Sequence, residues 1–105
     1  MITYGEGRTR VWLKTELMGE DRLYILGGGE KPHIGSVVIR GFNKHDQTVT
    51  FGNHKDHVVL EPLAERAAEK YGTNAVAIGG VHIDDASPEE IETIVKNCKE
   101  LIKCI

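Results

Sequence analysis

The sequence predicts an α+β domain. It is a two-layer α/β sandwich in which a sheet of about five strands carries two helices on one face, in the order ββββαβα. Three observations lead there. The first half of the chain is a series of short β-rich segments separated by glycine and polar turns. The second half holds two stretches whose apolar residues recur at helical spacing. Between those stretches lies a nearly unbroken apolar segment at 74–78, the signature of a buried central strand.

Residues 11–17 alternate, with Val11, Leu13, Thr15 and Leu17 on one face and Trp12, Lys14 and Glu16 on the other. Gly19, Glu20 and Asp21 supply a hairpin turn, and residues 21–26 return antiparallel into Gly27, Gly28 and Gly29. Ser36–Arg40 is the third strand. A polar turn at 43–46 then leads to a fourth at 47–51. A helix is expected over about His57–Tyr71, with Leu63, Ala64, Ala67 and Ala68 as its apolar face and Gly72 as its stop. Pro62 suits its first turn. The last helix opens on Ser87, Pro88, Glu89 and Glu90, a capping box with proline at the first position. Ile91, Ile94, Val95, Cys98, Leu101 and Ile102 follow as one stripe. The helix between the fourth and fifth strands makes a βαβ crossover. The sheet's second face has no helix to cover it. It is therefore either polar and solvated or buried in a homodimer or higher homo-oligomer, with Trp12 on one of the two faces.

The 105 residues, 1–105, amount to a single domain. Thirteen Lys+Arg against sixteen Asp+Glu give a net charge of −3, which excludes a globally basic nucleic-acid binder but not a local basic patch. No apolar run is long enough to span a membrane. The N-terminus lacks the layout of a secretion signal, so a cytoplasmic location is expected. Cys98 and Cys104, six apart, match neither a zinc knuckle nor a redox pair.

Twelve glycines cluster beside most of the histidines. Three segments combine the two residue types, each after a strand: 27–35, 52–57 and 79–85. Glycine-rich loops let backbone N–H groups reach an anion, and Lys55, just before a helix, adds a positive charge, so a phosphate-bearing ligand is physically reasonable. Neither a Walker loop nor a dinucleotide fingerprint is present. His33, His54 and His82, one per segment, together with Asp84, make a candidate donor set for a divalent transition metal. His82 and Asp84 share a face if the backbone stays extended. The same residues also fit simple turns bonded to backbone, and His45 reads as an exposed turn residue. Ser36 and Ser87 are the only serines, and neither cysteine lies near the histidines, which argues against an acyl-enzyme mechanism.

The segments 28–35 (Gly-Gly-Glu-Lys-Pro-His-Ile-Gly), 54–56 (His-Lys-Asp) and 80–84 (Gly-Val-His-Ile-Asp) resemble the prenylated-flavin chaperone family typified by the small D subunit of gallate decarboxylase. The resemblance covers most of the chain. It implies a non-catalytic module that binds prenylated FMN (or FMN) and serves a UbiD-type decarboxylase by delivering or maturing its cofactor, with a flavin prenyltransferase as a further partner. The matching cofactor-binding positions are Gly28, Gly29, His33, Gly35, His54 and Lys55, with His33, His54, His82 and Asp84 free to hold a metal that bridges to the phosphate. Aromatic residues are only 6% of the chain, so few rings are available to stack on a flavin. Two other readings stay open. One is a small metal-dependent enzyme with Asp56 or Glu30 as general base. The other is a structural dimerisation subunit.

Overall fold

The computed structural model describes residues 1–41, 46–52 and 55–105. Its strands are β1 (Ile2–Tyr4), β2 (Val11–Met18), β3 (Asp21–Gly29), β4 (Ser36–Arg40), β5 (Gln47–Thr50) and β6 (Ala75–His82). Its helices are α1 (His57–Tyr71) and α2 (Pro88–Lys103). The architecture is the predicted α+β sandwich, with six strands in the order β1-β2-β3-β6-β4-β5. The additional strand, β1, is three exposed residues paired antiparallel with β2. So short a segment has no periodicity to betray it.

Strand β6 is central, as its apolar run predicts. It pairs parallel with β3 and antiparallel with β4. Since β5 is antiparallel to β4, it runs parallel to β6, so α1 makes the expected crossover with β4 lying in between. Two expectations change here. The glycines at 27–29 and 79–80 are strand residues and not loops: Leu26 pairs with Gly79, Gly27 with Gly80 and Gly28 with Val81. Two interior strands that satisfy each other's backbone groups extend the ladder beyond the point where their apolar side chains end. Gly79 also has a φ of 132°, and a side chain there would run into the Leu26 carbonyl. Pro62 stands at the sixth position of α1, past the first turn. The turn at 43–46, His45 included, lies largely outside the described residues.

One core joins both layers. Val11, Leu13, Tyr24, Leu26, Val38, Ala75 and Ala77 of the sheet meet Leu60, Leu63, Ala64 and Ala67 of α1 and Cys98 and Leu101 of α2. Alternation sends the intervening residues to the opposite face, where they form two rows. Lys14, Ile25, Ile78, Val37 and Val49 are register partners in one row. Glu16, Leu23, Val76, Ile39 and Gln47 make the other. This face is apolar across its three middle strands, so the expectation of a polar face does not hold. Trp12 lies on it, with its ring over Gly27.

Helix α2 begins as predicted. The Ser87 hydroxyl accepts the Glu90 N–H at 3.1 Å and Glu90 returns an acceptor to the Ser87 N–H at 3.1 Å. That geometry fixes where the helix starts and hence where the preceding residues 83–86 lie against it.

Candidate functional site

The C-terminal end of β6 gathers the residues that the sequence singles out. Residues 30–35 run alongside it, with the His33 and Gly35 N–H groups donating to the Gly80 and Gly79 carbonyls. Asp56 occupies the N-cap position of α1 but does not cap it. Its Oδ1 instead accepts the Val81 N–H at 3.1 Å, and its Oδ2 lies 3.6 Å from His33 Nε2. Both side chains are largely buried, Asp56 more than His33. Gly80 makes this approach possible: a Cβ there would sit 2.7 Å from Asp56 Oδ2 and 3.0 Å from His33 Nε2. Gly35 lies against the same two side chains, and here a Cβ would collide with the Asp56 carboxylate. The glycines of this region thus clear space for a histidine and an aspartate to lie close on the sheet.

A second histidine–carboxylate contact stands beside the first. His82 Nε2 is 3.1 Å from Asp84 Oδ1, the i, i+2 relation expected from an extended backbone. Lys31 Nζ donates to Asp84 Oδ2 at 3.1 Å. The Lys31 ammonium first, and His82 second, hold the Asp84 carboxyl below the usual carboxylate range. The His33 and His82 rings meet edge to face with centroids 6.1 Å apart. Around them, Glu30 Oε1 accepts the Asp84 N–H at 3.1 Å, and Arg8 pairs with Glu90 at 2.8 Å while donating to the Asp84 carbonyl. Arg8, Glu30 and Glu90 are network members that spacing alone does not reveal, because they converge from three distant parts of the chain.

Next to this polar group opens a cleft of about 470 Å³ between α1, α2 and β6. Val58, Val81, Ile83, Ile91, Ile94 and Val95 form its apolar walls, and Lys55, Asp56 and His82 stand at its polar side. The α2 stripe therefore has two uses. Cys98, Leu101 and Ile102 are core, whereas Ile91, 53% exposed, lines the cleft. Val58 of α1 is exposed in the same cleft, so both helices present an uncovered aliphatic side chain to it.

The predicted site residues divide as follows. Gly35, His33, His82 and Asp84 converge at the end of β6, and Lys55 stands at the cleft. Gly28 is buried in the sheet between Val11 of β2 and Val81 of β6, and Gly29 ends β3 beside the His82 carbonyl. His54 lies outside the described residues. The expected metal set is not assembled by its other members: Asp84 is engaged by Lys31, and among the described residues no group of three or more His, Cys, Asp or Glu is arranged to hold an ion. No helix among the described residues is long and apolar enough to cross a membrane.

The chain is a small two-layer α+β domain, with a mostly apolar cleft at the end of a central strand and histidine–carboxylate contacts beside it. The chain belongs to the prenylated flavin chaperone LpdD-like family, whose profile matches residues 5–105. It is similar to Protein LpdD of Lactiplantibacillus plantarum (strain ATCC BAA-793 / NCIMB 8826 / WCFS1), 27% identical over 81 residues that cover 72% of this chain and 60% of that protein. The chain thus matches about 60% of the length of this curated relative.

Proposed function

We propose that this protein is a non-catalytic carrier of prenylated FMN that hands the cofactor to a UbiD-type decarboxylase, receiving it from a flavin prenyltransferase. The observation that carries this reading is the cleft. Its volume of about 470 Å³ falls within the range of small-molecule sites. Its aliphatic walls suit the apolar ring system and the prenyl-derived ring, with valine and isoleucine in place of stacking aromatics. Lys55 and His82 at the polar side suit a phosphate and the polar edge of a flavin. Gly28 and Gly29, paired within the sheet, let the strands approach, Lys55 lines the cleft, and His33 and Gly35 support its polar side through Asp56. The family description supports the cofactor class.

Native mass spectrometry of untagged protein, co-expressed with a flavin prenyltransferase, tests the reading. One prenylated FMN per chain is expected. Val95→Asp, which puts a charge into the apolar wall, should reduce occupancy at least tenfold with the fold intact by circular dichroism. His33→Ala combined with His82→Ala should weaken retention while leaving the apolar wall untouched. No flavin on the wild-type chain, or equal retention in Val95→Asp, would overturn the assignment. Metal retained stoichiometrically in flavin-free protein would instead favour the metal-dependent enzyme.

A further inference from the structure

We infer that the helix-free face of the sheet is an isologous interface with a second copy of this chain. This is independent of the cofactor reading. The face carries six half-buried aliphatic side chains on its three middle strands, Leu23, Ile25, Val37, Ile39, Val76 and Ile78. Within the two rows the charges sit at one end, on β2, where Lys14 and Glu16 form an ion pair at 3.3 Å. The two rows described above differ in one respect that selects the occupant. One begins with Lys14 and the other with Glu16, and both continue through aliphatic residues. A two-fold axis running between the rows, across the strands, lays each row over the opposite row of the partner copy. Lys14 then faces the partner's Glu16, and Ile25, Ile78 and Val37 face the partner's Leu23, Val76 and Ile39. The face is complementary to itself in both charge and apolarity, which is what a closed two-fold contact requires.

Surface area agrees. The chain exposes 6372 Å², about 500 Å² more than the roughly 5,800 Å² expected for a monomer of 11.6 kDa. Twice that excess over the whole surface is about 1,000 Å², the threshold that a biological interface has to clear. The molecule is also thin, 18 Å in its shortest Cα extent. Stacking two sheets about 10 Å apart yields a four-layer helix–sheet–sheet–helix particle with one buried seam.

Sedimentation equilibrium on the full chain, from micromolar to near-millimolar concentration, tests the proposal. A dimer of twice 11.6 kDa is expected for the wild type. Ile78→Glu, at the centre of the face, should sediment as a folded monomer. Lys14→Glu should weaken the dimer about tenfold, and the exchange Lys14→Glu with Glu16→Lys should restore it, because both rows swap charge together. The exposed β2 pair keeps the test informative if Ile78→Glu fails to fold. A wild type that stays monomeric throughout, a dimer unaffected by Ile78→Glu, or an exchange variant no better than Lys14→Glu would each overturn the inference.

Discussion

Asp56 combines two tasks that a helix N-cap normally keeps apart. An aspartate before a first turn ordinarily bonds that turn's N–H groups, but here the carboxylate turns to the Val81 N–H and to His33. The helix start gives up a cap so that the sheet end and the histidine loop are pinned together. Asp56→Ala should therefore destabilise the protein by about 1–3 kcal/mol, the cost of a buried N–H left unpaired. Asp56→Asn, which keeps an acceptor, should recover most of that in chemical denaturation. The two thiols provide a second contrast. Burial first, and the nearby Asp56 charge second, push the Cys98 thiol up to about 12, whereas Cys104 is exposed. Ellman's reagent at pH 8 should find one reactive thiol in the native protein and two in denaturant. Since the unfolded thiol ionises near 9.0 and the folded one near 12, Cys98 contributes stability that is complete below pH 9 and lost as pH rises towards 12. Thermal melts across that range, with Cys98→Ala as the reference, should show the decline. At this scale the sequence singled out His33, His82 and Asp84 by their place in glycine-flanked segments after strands, and those side chains do lie together at the end of β6. The pairing of His33 with Asp56 depends on the crossover of α1, which no spacing encodes.

At the level of elements, legibility followed the strength of the local signal. Helix α2 was readable to the residue because Ser87, Pro88 and Glu90 each act at a defined position. Ser87→Ala should cost about 1 kcal/mol and lower the melting temperature by several degrees. Glu90→Ala should cost more than the capping box alone predicts, since it also releases Arg8. A melt in which Glu90→Ala matches Ser87→Ala would show that the Arg8 contact adds nothing. Strands β3 and β6 were found but cut short, because glycine reads as a break while the ladder between two interior strands continues through it. The apolar stripe of α2, continuous in the sequence, divides between core and cleft in the structure. Periodicity reports which side faces inward and does not report whether a neighbouring element fills the space above it.

For the molecule as a whole, the predicted two-layer class holds because a single buried face on the sheet and one apolar stripe on each helix admit few other arrangements. The central place of β6 was readable but its neighbours were not, since it enters between two hairpins that are already adjacent in sequence. The last-arriving strand is thus the one that joins β2–β3 to β4–β5. Its first contact, Arg22 with Ala75, spans more than half the chain. As the chain leaves the ribosome, the two hairpins must wait unjoined, with their inner edges open, until the segment after α1 has been made. Sequence-distant closure of this kind is slow. Pulse-labelled hydrogen exchange during refolding should show the outer pairing of β2 with β3 protected before any amide of β6. The cleft between α1, α2 and β6 therefore has none of its β6 or α2 wall until those last two elements have been made and the hairpins are joined.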